Sequence, residues 1–137
     1  MKLSEAILLG SVGTEQGYGP YAILPTSKKT CALGAALFAV GPKVATLLPD
    51  EWQYGTRTVS RIWPWTETKA PYPKASGLFH PIANQVFNND YNIIWQLNDV
   101  ARWTRPQIAA WVAELEKVYD PDPAPVAEPV QDAVEVQ

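Results

Sequence analysis

The chain has one cysteine and one histidine, Cys31 and His80, among its 137 residues. One cysteine excludes an intramolecular disulfide and fits a reducing compartment. With a single thiol and a single imidazole 49 positions apart, the ligand set of a structural zinc tetrahedron is missing, so no metal and no cofactor is expected. A serine triad is not indicated either, because no G-x-S-x-G elbow accompanies His80. Between Phe79 and Pro81, that histidine reads as a capping or partly buried side chain. Long apolar runs are also lacking. The longest, residues 31–42, falls well short of the roughly 20 residues that span a bilayer. Residues 6–10, after Glu5, are fewer than the roughly 7–15 of a signal-peptide core. No membrane partner is expected, and the location expected is the cytoplasm.

Lys and Arg are absent from residues 120–137, which carry Asp120, Asp122, Glu128, Asp132 and Glu135. Without them, 11 basic residues face nine acidic ones, so the net charge of −3 belongs to the tail. The body is neither a polybasic nucleic-acid arm nor an acidic protein. A tail of Pro, Ala, Val and acid buries too little apolar surface to offset its conformational entropy. It is expected to be disordered, as a solubilising terminus or a partner-binding segment. The rest of a chain that is 47% hydrophobic and 11% aromatic suffices for one domain, residues 1–119, with a core.

Hydrophobic spacing predicts four helices, near 4–10, 31–40, 82–97 and 105–119. In LSEAILLGS (3–11), Ser4 is the expected N-cap and Gly10 the expected end. TCALGAALFAVG (30–41) is apolar all round, which marks a helix surrounded by protein; Thr30 is its expected cap, with Gly41 and Pro42 as the stop. The third pattern runs from Pro81 through Val86 and, past Asn88, Asn89 and Asp90, to Leu97, as one kinked helix or two short ones. The strongest is the last: Thr104 and Gln107 form a capping-box pattern ahead of Ile108, Trp111, Val112, Leu115 and Val118. Residues 10–19, with four glycines, read as an irregular loop, but no P-loop or dinucleotide spacing occurs there. Glu5, Glu51, Asp90, Asp99 and His80 would have to converge in space to form an acid–base site. Nothing in their spacing singles them out.

Two stretches remain as candidate binding regions. In residues 52–77, periodicity collapses and Trp52, Tyr54, Trp63, Trp65 and Tyr72 alternate with Arg57, Arg61, Lys69 and Lys74, broken by three prolines. Only 56–62 alternates enough for a brief strand; the rest reads as a long loop, a length that is often functional or disordered. Its indoles are either core residues pinning the loop, hot spots for a protein partner, or platforms for nucleic-acid bases. Residues 92–116 give helix, short turn, helix, with Arg102 and Arg105 where a helix-turn-helix would place groove contacts. Glu114 and Glu116 oppose that use, and two arginines are a thin electrostatic footprint. The binding candidates are therefore Trp52, Arg57, Arg61, Trp63, Trp65, Arg102 and Arg105.

Three stretches, LSEAILLGS, TCALGAALFAVG and IIWQLNDVARWTRPQIAAWVAELE (93–116), carry a resemblance. In this order they resemble a group of short, uncharacterised bacterial and bacteriophage proteins with LSEAI-x-LG, CALGAA and LND…WTR-x-x-IA-x-WV motifs. The resemblance implies a small, mainly helical fold and a phage or mobile-element origin, and hence a host-cytoplasmic location. Members often carry a cysteine pair in the variable middle; this chain has none there, so no metal role transfers. The expectation is a mainly α, compact domain with a long irregular Trp/Pro-rich loop and a disordered tail. Its expected role is a non-enzymatic interaction or accessory protein with a protein partner, the alternative being nucleic-acid binding.

Overall fold

A computed structural model of the chain describes residues 1–18, 29–41, 59–79 and 86–121. The architecture is mainly helical: α1 (Leu3–Val12), α2 (Ala32–Val40), α3 (Asp90–Asp99) and α4 (Arg105–Tyr119) enclose the core. Two short two-stranded ribbons accompany them. β1 (Glu15–Gln16) pairs in parallel with β2 (Lys29–Thr30), and β3 (Lys69–Pro71) pairs antiparallel with β4 (Phe87–Asn89), with Ala70 opposite Asn88. Among the described residues no helix is long and apolar enough to cross a membrane.

α1 buries Leu3, Ala6, Ile7 and Gly10, a three- and four-residue spacing that lays one stripe on α2. Two expectations fail here. The N-cap is Lys2, whose backbone N–H donates to Glu5 Oε1 at 3.1 Å; Ser4 lies within the first turn, its side chain committed elsewhere. Gly10 does not end the helix but makes it fit. A Cβ there would stand 1.8 Å from the Ala35 carbonyl oxygen, so the two helices cross where neither backbone is held away by a side chain. α2 is buried on every side from Ala32 to Leu37, as its composition requires. Its N-cap is Cys31, whose Sγ accepts from the Gly34 N–H at 3.3 Å, rather than Thr30.

α4 begins as its sequence dictates. Thr104 Oγ1 accepts from the Gln107 N–H at 3.2 Å, and Gln107 Oε1 accepts from the Thr104 N–H at 2.8 Å, the reciprocal box that satisfies two helix-end donors. Its buried stripe is Arg105, Ile108, Ala109, Val112 and Glu116. Trp111 and Leu115 are half-buried and Val118 is exposed, so the packed face is rotated away from the purely apolar one.

The middle of the chain departs further from expectation. Residues 59–62 are helical, not extended: the Trp63 N–H donates to the Val59 carbonyl at 2.8 Å, and both side chains turn into the core. Beyond Trp63 the chain forms short regular pieces rather than an open loop, with 3₁₀ turns at Pro64–Glu67 and Lys74–Ser76 flanking β3. The third helix starts at Asp90. The residues before it form β4, where Asn88 Oδ1 accepts from the Asn89 N–H and Asn88 Nδ2 donates to Tyr72 Oη at 2.9 Å; asparagines that bond locally in this way compete with the helix ladder. The expectations for residues 81–85 and 122–137 lie outside the described residues.

Candidate interaction surface

The indoles of the middle segment take different positions. Trp63 is 3% exposed, and its Nε1 donates to the Met1 carbonyl at 3.0 Å. A helical turn sets Val59 and Trp63 on one side and leaves Arg61 and Ile62 on the other, both exposed, so of the readings offered for this indole the core position is the one occupied. Trp65 is half-buried and lies parallel to the Tyr119 ring at the end of α4, with centroids 6.3 Å apart and planes 8° from parallel. Trp52 and Arg57 lie outside the described residues, as do Glu51 and His80.

Arg105 is 6% exposed and points inward, away from any groove of nucleic acid. Its Nη1 donates to Thr14 Oγ1 at 2.7 Å and Thr30 Oγ1 at 3.0 Å, and its Nη2 to the carbonyls of Thr14 at 2.8 Å and Ser11 at 3.4 Å. No carboxylate is among these partners. Burial acts against the guanidinium's charge and lowers its pKa, and the compensation comes from these four oxygens, those of Thr14 just past the end of α1 and the Ser11 carbonyl in its last turn lying at the negative end of the helix dipole. Eleven residues further along α4, Glu116 performs the opposite task at the other end of α1: Oε2 accepts from the Ser4 N–H at 3.0 Å and Oε1 from the Ser4 hydroxyl at 2.5 Å. Eleven residues of helix rise about 16 Å, close to the about 15 Å of a ten-residue helix. The antiparallel α4 thus grips both ends of α1, cation on the carbonyl end and anion on the amide end.

A second cluster joins β1 and α2 to the α3–α4 turn. Asn98, fully buried, accepts at Oδ1 from Gln16 Nε2 (3.0 Å) and the Ala32 N–H (3.1 Å), and donates from Nδ2 to the Gly17 carbonyl (2.9 Å) and Asp99 Oδ1 (2.8 Å). Gln16 Nε2 also reaches the Trp103 carbonyl at 2.7 Å. Arg102 closes α3 in the left-handed region at φ 59°, and its exposed guanidinium stands 3.9 Å from the centroid of Tyr18. The two arginines of the helix–turn–helix are therefore spent differently, one inside the fold and one on an aromatic face.

The described candidate carboxylates do not gather. Asp90 and Asp99 occupy opposite ends of α3, about 13 Å apart by helical rise. Glu5 is exposed at the start of α1. Among the described residues no three His, Cys, Asp or Glu side chains are placed to hold a metal ion. Cys31 is buried and its thiol is pushed up to about 12, chiefly by desolvation; a thiol so held is a poor nucleophile.

The surface feature with no signature in the sequence is an apolar groove of about 300 Å³ between residues 77–79 and the end of α3. Its lining residues are Gly77, Leu78, Phe79, Trp95, Gln96 and Val100. Phe79 is 50% exposed and Val100 61%, while Trp95 is half-buried with Nε1 donating to Asn92 Oδ1 at 3.1 Å. Sequence reasoning also misses Glu116 and Asn98, although each sits one helical turn beyond an apolar core residue, Val112 and Ile94; a polar residue continuing an apolar stripe is the signal. No family model matches the chain, and no curated protein or solved structure matches it.

Proposed function

We propose that the chain is a non-enzymatic interaction protein that receives an apolar side chain of a protein partner in the groove at Leu78, Phe79, Trp95 and Val100. The observation that carries this reading is the groove itself. It exposes a phenylalanine and a valine beside an indole, and an indole set among apolar neighbours is the kind of side chain that anchors protein hot spots. No charged side chain is among its described lining residues, so these residues offer no counter-charge to a phosphate backbone or a charged metabolite, whereas an apolar protein side chain exchanges water for matching surface on them. The burial of Arg105 argues in the same direction, since it removes half of the arginine pair on which a helix-turn-helix reading relies. The resemblance of the α1, α2 and α3–α4 sequences to bacterial and phage proteins fits an accessory role in such a host.

The test is capture of partners from bacterial lysate by the wild-type chain and by Val100→Asp, with nuclease treatment and salt washes. The reading expects a protein retained by the wild type after both treatments and lost at least tenfold by the variant, whose circular dichroism stays unchanged. Equal retention by both proteins contradicts the placement of the site. Capture abolished by nuclease contradicts the protein partner and moves the reading to nucleic acid.

A further inference from the structure

Among the described residues three side chains bury a formal charge, and two of them are bonded. Arg105 has four acceptors, and both oxygens of Glu116 receive donors from Ser4. Asp90 is 0% exposed, and neither Oδ1 nor Oδ2 has a hydrogen-bond partner. Its place makes this unusual. As the first residue of α3 it stands where amides and the positive end of the dipole ordinarily hold a carboxylate, yet burial outweighs that help. Its carboxyl is pushed up to about 7 by desolvation.

We propose that the junction between the β3–β4 ribbon, the 64–67 turn and the start of α3 is a pH-sensitive latch, closed while Asp90 carries its proton and loosened when the proton leaves. The Asp90 N–H donates to the Thr68 carbonyl at 3.1 Å, tying the start of α3 to the end of the 64–67 turn, and the side chain beside that bond is fully enclosed. The carboxyl therefore reaches water only if this junction opens. Among the described residues, neighbouring charges offer no relief: Glu67 and Lys69 are both exposed, and Lys69 pairs across the ribbon with Asn89, not Asp90. The phenol oxygens of Tyr72 and Tyr91 accept from Asn88 and Asn89, and neither phenol donates to Asp90. α2 carries no ionisable residue, and on α4 the buried charges Arg105 and Glu116 are committed to α1. A second buried group at the same junction, Trp65 Nε1, is likewise unbonded. A neutral acid tolerates such surroundings far better than a carboxylate, so deprotonation favours the state in which water enters.

The experiment is site-resolved amide exchange on the full chain at pH 5.5 and pH 8.5, each corrected for the intrinsic exchange rate. The Asp90 and Tyr72 amides, bonded to the Thr68 and Val86 carbonyls, report the junction; the Ala35 amide, bonded to the Cys31 carbonyl in α2, is the reference. Protection of the first two is expected to fall at least tenfold at the higher pH while Ala35 falls by a clearly smaller factor, and Asp90→Asn is expected to abolish the fall. Unchanged protection, an equal fall at Ala35, or the same fall in the variant overturns the latch. Should the variant not fold, the carbonyl resonance of Asp90 in the native protein decides: a titration midpoint near 7 supports the proposal, and a midpoint in the ordinary carboxylate range overturns it.

Discussion

The two ends of α3 treat a buried polar side chain in opposite ways. At its C-terminal end, Asn98 is enclosed and meets four partners from β1, α2 and its own turn. At its N-terminal end, Asp90 is equally enclosed and meets none. Burial is thus the same at both ends, and the difference lies in what surrounds each group. Around Asn98, the Gln16 side chain, the Ala32 amide, the Gly17 carbonyl and Asp99 all stand within bonding distance; around Asp90, no donor reaches either carboxyl oxygen. The bonded end should be rigid and costly to disturb, and the unbonded end cheap to disturb or even better without its charge.

The largest loss is expected at Arg105, which belongs to the bonded side of this comparison. Arg105→Ala strips donors from the hydroxyls of Thr14 and Thr30 and from the carbonyls of Thr14 and Ser11 at and just past the end of α1. Loss of charged hydrogen bonds and of the groups they satisfy should lower stability by about 3 kcal/mol; Arg105→Lys should recover only part, since one ammonium cannot span that fork of acceptors. Urea unfolding of both variants measures it. Asn98→Ala leaves the Ala32 N–H and the Gly17 carbonyl without their partner, at a cost of about 2 kcal/mol, read in the same way. Thr104→Ala removes only the hydroxyl half of the capping box and should cost about 1 kcal/mol, visible as a small fall in the thermal midpoint.

How much of this is legible in the sequence depends on the reach of each interaction. The α4 start is readable because Thr104 and Gln107 lie three residues apart and settle their bonds locally. The all-apolar character of α2 is readable for the same kind of reason. Gly10 is misleading because its small size is required by Ala35, a residue on another helix, and nothing local distinguishes a crossing point from a helix end. Residues 87–89 read as part of a helical pattern because their partner strand, 69–71, is far away in the chain. Arg105 looks like a surface contact because its acceptors stand 91 and 75 positions earlier. The groove cannot be read at all, since Phe79 and Val100 become neighbours only when the chain folds. Of the two candidate regions, the indole segment yields Trp63 to the core, while Arg61 and Arg102 remain on the surface.

Asp90 sharpens the comparison because its sign is opposite. A carboxyl raised from 3.8 to about 7 in the folded chain binds its proton more tightly folded than unfolded. Its contribution to stability therefore declines as pH rises from about 4 to about 7 and stays low above that. Replacing it with a neutral side chain of the same shape should remove this decline. The gain at alkaline pH is expected to be about 1–2 kcal/mol, because a buried amide leaves unmet hydrogen bonds of its own.

The most direct test is a pair of urea unfolding curves at pH 8, for Asp90→Asn and Asn98→Ala, each against the wild type. Opposite shifts are predicted, the first variant unfolding at higher urea than the wild type and the second at lower. If Asp90→Asn unfolds earlier by as much as Asn98→Ala, the carboxylate is a bonded, stabilising group and the contrast between the two ends of α3 does not exist.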